Sequence, residues 1–114
     1  MADVDSDALA SEDAKLLTLA RAARAYAGTT EGAAVRDDIG RTYAAASVGL
    51  PSLQLTALQA AVAAAVSSGV SRLEAAVIHT NATALSPADA AVVQDLSPTT
   101  VLLAGADCAV TVVR

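Results

Sequence analysis

The segment from Ser52 to Gly69, SLQLTALQAAVAAAVSSG, constrains the fold more than any other part of the chain. Its alanine content and its length predict a helix over residues 53–68. The segment carries no charged side chain, so this helix would be apolar on almost every face. Because a helix without a polar face must be buried, we expect it to pack against a sheet and against a partner subunit.

The side chains available for the core are small. Hydrophobic residues make up 54% of the 114 residues, but Phe and Trp are absent and Tyr26 and Tyr43 are the only aromatic residues. The core must therefore consist of Ala, Val, Leu and Ile, which bury little area each at roughly 25 cal/mol per Å². A chain of this length forms one domain with a modest core. We expect self-association into a homo-oligomer, a dimer or a tetramer, to support it.

The charge balance argues against nucleic-acid and membrane partners. The net charge is -5, the arginines are scattered, and Lys15 is the only lysine. Binding to a phosphate backbone needs clustered Lys and Arg instead. The most hydrophobic run, residues 57–66, is too short to span a bilayer. The sequence therefore predicts a domain with no nucleic-acid partner and no membrane partner.

The cysteine count and the N-terminus predict a cytoplasmic location. Cys108 is the only cysteine, so an intrachain disulfide is impossible and a reducing compartment is expected. Its apolar surroundings predict a buried, inert thiol. The N-terminus, MADVDSD, is acidic and lacks the positive region of a signal peptide. We expect residues 1–10 to be a flexible acidic tail and residues 11–114 to be a single domain.

Periodicity along the chain predicts alternating helices and strands. A helix over residues 11–27 would be capped by Ser6 or Ser11, and Gly28 would end it. A hairpin is expected around Asp38-Ile39-Gly40, and Pro87 would open the third helix. The predicted elements are helix 11–27, strands 32–37 and 41–47, helix 53–68, strand 74–80, helix 87–96, and strands 100–104 and 108–113. The order α-β-β-α-β-α-β-β predicts an α/β fold, a mixed five-stranded sheet with helices on its faces.

Five segments carry a resemblance to a known family. They are ARAYAG (23–28), GAAV (32–35), DDIGRTYAA (37–45), TALQAAVAAAVSSG (56–69) and SPADAAVV (86–93). In this order they resemble the cytidine deaminase family of free-nucleoside enzymes, over nearly the whole chain from Lys15 onward. The resemblance implies the layered α-β-α fold of that family.

The resemblance also implies that the chemistry of the family is missing. Its members carry a Cys-Ala-Glu triplet at the start of the second helix and Pro-Cys-x-x-Cys at the start of the third. Zinc needs nitrogen or sulfur ligands, and a glutamate shuttles protons for the zinc-bound water. Position by position, the ligands fall on Thr56, Ala88 and Ala91 and the glutamate falls on Leu58. None of these side chains can perform the corresponding role, so we expect no metal, no cofactor and no catalytic residue.

Other residues do not restore a site. The asparagine and glutamate with which the family holds ribose would fall within residues 44–48, which contain no amide or carboxylate. His79 is expected to be an ordinary histidine at a strand end, and Asp89 a charge at a helix N-terminus. The pair Asp37-Asp38 is expected in a solvated turn. No nucleophile elbow, phosphate-binding loop or dinucleotide-binding motif is present.

These observations predict a catalytically inactive, cytidine-deaminase-like protein with a binding or scaffolding role. The alternative is a non-catalytic module that binds a nucleoside or base, and an active cytidine deaminase is the least favoured interpretation. The alanine-rich composition with arginine in excess of lysine is similar to that of high-GC actinobacteria. Relatives of this kind are encoded near genes of ribosomal RNA maturation, which implies a protein partner.

Overall fold

The computed structural model describes residues 2–5, 9–107 and 109–114. Within them the chain forms three helices and eight strands. The helices are α1 (Ser11–Ala27), α2 (Ala57–Ser67) and α3 (Pro87–Leu96). The strands are β1 (Ala2–Asp5), β2 (Gly32–Asp37), β3 (Thr42–Ala46), β4 (Val48–Leu50), β5 (Leu53–Leu55), β6 (Leu73–His79), β7 (Thr100–Ala104) and β8 (Ala109–Val112).

The main sheet has the strand order β1-β8-β7-β6-β2-β3. Only β6 and β7 run parallel within it, and every other pair is antiparallel. The mixed sheet of the five predicted strands is therefore confirmed. A sixth strand extends it, because β1, from the segment expected to be a tail, pairs with β8. The free backbone groups of an edge strand accept a partner segment whatever its side chains are.

The helix predicted over residues 53–68 starts later than expected. Residues 48–55 form a small hairpin of β4 and β5, which pair with each other apart from the main sheet. The turn of this hairpin lies at Pro51 and Ser52, and proline favours turns over a helix interior. Thr56 then caps α2, so helical structure begins at Ala57.

Helices cover both faces of the sheet. On one face α1 buries Leu16, Leu17 and Ala20 against the sheet. On the other face α2 and α3 bury a second cluster that includes Leu58 and Val93. The close approach of α1 depends on Gly32, because a Cβ there would lie 2.0 Å from the carbonyl oxygen of Ala20. The predicted α-β-α layering is thus present, and small residues permit it.

Two local predictions about caps and turns differ from the structure. The N-cap of α1 is Ala10, without a side-chain cap, so Ser11 does not cap it and Ser6 lies outside the described residues. Gly28 ends α1 in the left-handed region, as predicted. Asp37 is buried rather than solvated. It accepts hydrogen bonds from the Ile39 and Arg41 backbone N–H groups and forms an ion pair of 2.8 Å with Arg41.

No helix in the part of the chain described here is both long enough and apolar enough to cross a membrane.

Candidate functional site

Four segments meet around a cavity of about 200 Å³, called the inner cavity below. The N-termini of α2 and α3 contribute Thr56 and Asp89, the carboxyl end of β6 contributes Thr80, and the residue before β2 contributes Glu31. The carboxyl ends of parallel strands and the adjoining helix N-termini are where α/β proteins bind ligands. The inner cavity is therefore the first place to look for a function.

The Thr56 side chain organises the start of α2. Its hydroxyl accepts the backbone N–H of Gln59 at 3.0 Å, and the Gln59 side chain accepts the Thr56 N–H at 2.9 Å. This reciprocal capping box satisfies two N–H groups that an open helix end would leave unpaired. The Thr56 hydroxyl also donates its proton to Asp89 Oδ1 at 2.6 Å. Its proton and one of its two lone pairs are thus used inside the protein.

Asp89 is buried at the inner cavity, with 4% of its surface exposed. It lies in the first turn of α3, where the positive end of the helix dipole favours a carboxylate. Its backbone N–H donates to the hydroxyl of Ser86, the N-cap of α3. Asp89 is therefore a charge at a helix N-terminus, as the sequence predicted. The hydrogen bond from Thr56, which joins α3 to α2, was not predicted.

A second carboxylate and hydroxyl pair lies on the sheet side of the cavity. The Thr80 hydroxyl donates to Glu31 Oε2 at 2.8 Å and accepts the Ala82 N–H at 3.1 Å. Glu31 also holds Ser47 through its backbone carbonyl oxygen. Neither Glu31 nor Thr80 was predicted from the sequence to line a site. The position of Thr80 after a buried strand was the available signal, because carboxyl ends of strands line ligand sites.

The positions predicted to replace the zinc ligands and the glutamate lie in different environments. Leu58 is fully buried in the core beneath α2, and Thr56 is half-buried at the cavity. Ala88 and Ala91 are exposed on α3, and Asp89 is the residue that faces Thr56. Cys108, predicted to be a buried thiol, lies outside the described residues.

His79 lies apart from this cavity, on the α1 face of the sheet. It follows Ala75 and Val77 at alternate positions of β6, and both of these pack in the α1 cluster. Both ring nitrogens are buried, and neither has a hydrogen-bond partner among the residues that the structure describes. Burial lowers the His79 pKa, and the nearby charges of Arg24 and Arg21 lower it further. His79 is therefore a neutral buried histidine, and it cannot share a site with Asp89.

The other titratable clusters stabilise the fold. Burial alone raises the Asp37 pKa, but hydrogen bonds from Arg41 and Ile39 outweigh this effect and place the pKa below its ordinary value. Arg36 joins α1 to the sheet through Asp13 at 3.1 Å and Glu74 at 2.9 Å. Across residues 9–107 and 109–114, no three His, Cys, Asp or Glu side chains are close enough to hold a metal ion.

A second depression adjoins the inner cavity at the same edge of the sheet. It measures about 470 Å³, is called the outer groove below, and shares Thr80, Ala82 and Leu103 with the inner cavity. Asn81 and Asp107 give it a polar lining. The two spaces are therefore neighbours, and residues 105–107, which follow β7, line the outer groove.

Helices on both faces of a mixed sheet, with two helix N-termini at the ends of parallel strands, define a three-layer α/β domain. A family model described as cytidine deaminase-like matches residues 9–108. Because this match covers most of the chain, the protein belongs to the cytidine deaminase-like family.

A solved structure of similar fold is consistent with this family assignment. The crystal structure of a cytidine deaminase from Burkholderia pseudomallei, determined at 1.6 Å, is similar with a TM-score of 0.75 and 23% sequence identity. The similarity covers 86% of this chain and 88% of that chain. At this level of identity the likeness shows the fold alone. No curated protein matches the chain.

Proposed function

We propose that this protein is a catalytically inactive member of its family and that it acts by binding, with the inner cavity as its binding site. The observation that carries the proposal is the engagement of the Thr56 hydroxyl, which caps α2 and donates to Asp89. A neutral hydroxyl used in this way is not a zinc ligand, since zinc in proteins takes thiolate, imidazole or carboxylate. The predicted cytoplasmic location is part of this proposal.

The side chains at the other three matched positions support the same proposal. Leu58, at the position of the proton-shuttling glutamate, is 1% exposed and packs in the core. Ala88 and Ala91, at the positions of the later ligands, carry only methyl groups. Apolar residues at such positions avoid leaving an unpaired thiolate or carboxylate in the interior, which is costly.

A deamination assay tests the loss of activity. The purified protein, with and without added zinc, is incubated with cytidine, and formation of uridine is followed by absorbance with an active cytidine deaminase as positive control. We expect no turnover above the uncatalysed rate under either condition. Zinc-dependent turnover that is lost in Asp89→Asn would contradict the proposal, because it would identify a working metal site that uses the cavity.

A second candidate function is the binding of a nucleoside or base without reaction. The inner cavity favours it, since a space of about 200 Å³ would otherwise hold several waters at roughly 30 Å³ each. Thermal unfolding with millimolar cytidine, uridine and their bases tests it. A ligand at 100 times its dissociation constant adds about 2.7 kcal/mol to the free energy of unfolding. If none of these compounds changes the midpoint of thermal unfolding, nucleosides and bases are excluded as ligands of the cavity.

Self-association is the remaining part of the proposal. Apolar side chains are exposed on the β4–β5 hairpin and on the outer side of α2, where Leu50, Leu53 and Val66 are each about half exposed. We propose that a second copy of the chain covers this surface. An obligate interface of this kind buries about 2,000 Å² or more. Light scattering at micromolar concentration should therefore give a dimer or tetramer mass, and a monomer mass would refute this part.

A further inference from the structure

Strand β3 lies at one end of the main sheet, and β2 is its only neighbour among the described strands. Two hydrogen bonds just outside β3 fix which of its residues face β2. The Asp37 N–H donates to the Arg41 carbonyl oxygen at 2.9 Å, and the Ser47 N–H donates to the Glu31 carbonyl oxygen. The register between these two bonds is unbroken. In an antiparallel ladder every second residue bonds to the neighbouring strand.

The intervening residues of β3 therefore have free backbone groups. Counted in steps of two from Arg41, the residues that bond to β2 are Tyr43 and Ala45. Thr42, Ala44 and Ala46 lie between them and direct their N–H and C=O groups away from β2. Within residues 2–5, 9–107 and 109–114, no strand pairs with this side of β3.

This edge lacks the features that keep sheet edges from pairing. Natural edge strands are protected by charged side chains, by proline or by bulges. The sequence of β3, TYAAA, contains no charged residue and no proline, and its pairing with β2 shows no register shift. The strand at the other end of the sheet, β1, carries Asp3 and Asp5. The β3 edge is therefore the one suited to accept another strand.

We propose that β3 pairs with β3 of a second copy of the chain, across a two-fold axis at Ala44. Antiparallel pairing around this axis places Ala44 opposite Ala44 of the second copy and Thr42 opposite its Ala46. Every free N–H and C=O group of the edge then faces a free group, and opposed residues exchange both hydrogen bonds. The interface is the same surface on both copies, as in most homodimers.

The side chains of β3 are compatible with this pairing. Tyr43 and Ala45 pack on the α2 face, and they would lie opposite each other across the axis. Thr42 lies on the α1 face, where it would meet Ala46. In both cases a larger side chain meets a methyl group, and no charged residues are opposed, although like charges at such positions would be unfavourable.

Helix α1 provides a second reason to expect a copy of this chain at the edge. A groove of about 490 Å³ lies between α1 and β3, lined by Lys15, Leu19 and Thr42 among others. Leu19 is partly exposed and Tyr26 is 96% exposed. They are seven residues apart, about two helical turns, so they lie on the same side of α1. A second copy brings its own α1 to this face of the joined sheet, whereas a bound peptide strand alone would leave these side chains uncovered.

The β3 edge is separate from the surface on the β4–β5 hairpin and the outer side of α2. The inference therefore adds a second interface to the self-association proposed above and does not depend on the inner cavity. Two different two-fold interfaces on one chain generate a tetramer.

Ala44→Lys and Ala44→Pro test the β3 interface. Two lysines opposite each other on the axis repel. Proline removes only the Ala44 N–H, which faces away from β2, so the fold tolerates it as edge strands do. Light scattering at micromolar concentration should show half the mass of the unmodified assembly for both variants, with the dissociation constant raised roughly tenfold or more. Gln94→Lys, an exposed position on α3, is the matched control and should keep the full mass.

Hydrogen–deuterium exchange read by NMR tests the pairing itself. In the assembly, the amides of Thr42, Ala44 and Ala46 should exchange roughly tenfold or more slowly than in Ala44→Lys, because pairing protects them. The Tyr43 and Ala45 amides, which bond to β2, should remain protected in both and show that the variant is folded.

Leu53→Lys separates the two interfaces, because it places a charge on the β4–β5 hairpin and leaves β3 unchanged. The amides of Thr42, Ala44 and Ala46 should stay protected in this variant, and loss of that protection would overturn the inference. An assembly of unchanged mass in both Ala44 variants, with these three amides exchanging fast, would overturn the β3 interface and leave the hairpin interface in place. A monomer mass for the unmodified chain would overturn both interfaces.

Discussion

The hydrogen bond between Thr56 and Asp89 is the contact that the account depends on most, and Thr56→Ala tests it. The substitution removes the cap of α2, which costs about 1 kcal/mol. It also leaves a buried carboxylate oxygen without its donor, which costs a further 1–3 kcal/mol or so. We therefore expect Thr56→Ala to lower the free energy of unfolding by about 2–4 kcal/mol, and Thr56→Ser, which keeps the hydroxyl, to lower it far less.

Ser86→Ala is the matched control for this prediction. Ser86 caps α3 as Thr56 caps α2, but its hydroxyl donates to no carboxylate of the described residues. Its loss should therefore cost only about 1 kcal/mol. Urea unfolding followed by circular dichroism measures both values, because the midpoint shifts in proportion to stability when the slope is unchanged.

A double-mutant cycle isolates the pair. The free energies of unfolding of Thr56→Ala, Asp89→Ala and the double variant should give a coupling of about 1.5–3 kcal/mol, the range for a hydrogen bond to a charged group. If Thr56→Ala costs no more than Ser86→Ala and the coupling is near zero, the two side chains do not interact in solution. Thr56 would then have no structural role in joining α2 to α3.

Three further predictions concern the two faces of the sheet. Burial lowers the His79 pKa, so the stability that the neutral ring contributes is full above the unfolded value of about 6.5. It is lost as pH falls through the folded pKa, and unfolding at a series of pH values should show less loss in His79→Gln. Gly32→Ala should destabilise the chain by about 3 kcal/mol, because its Cβ would clash with the Ala20 carbonyl oxygen at 2.0 Å. Leu58→Ala should cost about 2–5 kcal/mol, because it empties a fully buried position.

Controls for the two core substitutions lie on the β4–β5 hairpin. Gly49→Ala meets no atom within 4 Å, and Leu50 is 55% exposed, so Gly49→Ala and Leu50→Ala should change monomer stability little. Equal costs at Gly32 and Gly49 would show that α1 lies farther from the sheet than described. An identical pH dependence with and without His79 would show that the ring is solvated.

Much of the fold could be predicted because its signals are local. The apolar periodicity of α1, the Ser86-Pro87 start of α3 and the Asp38-Ile39-Gly40 turn each specify their element through their own residues. The β4–β5 hairpin was missed because its leucines fit a helical pattern equally well, and only the turn at Pro51 argued against it. Strand β1 was missed because its pairing depends on the edge of β8, which is distant in sequence.

The candidate site was harder to predict than the fold. The sequence match directed attention to Thr56, Leu58, Ala88 and Ala91, but the carboxylates of the cavity come from positions that no motif marks. Glu31 precedes a strand and meets Thr80 forty-nine residues later. Asp89 was explained by the helix dipole alone, which is a local effect. Its bond to Thr56 depends on how α2 and α3 pack, and this packing cannot be read from either segment.

The central claim is that the family's metal chemistry is absent from this chain, and metal analysis tests it most directly. The protein is purified without added metal or chelator, and its zinc content is measured by mass spectrometry against protein concentration. We expect far less than one zinc ion per chain, because the matched positions carry a hydroxyl and two methyl groups instead of thiolates. A stoichiometric zinc ion that survives dialysis would contradict the account, because it would require a ligand set that these residues do not supply.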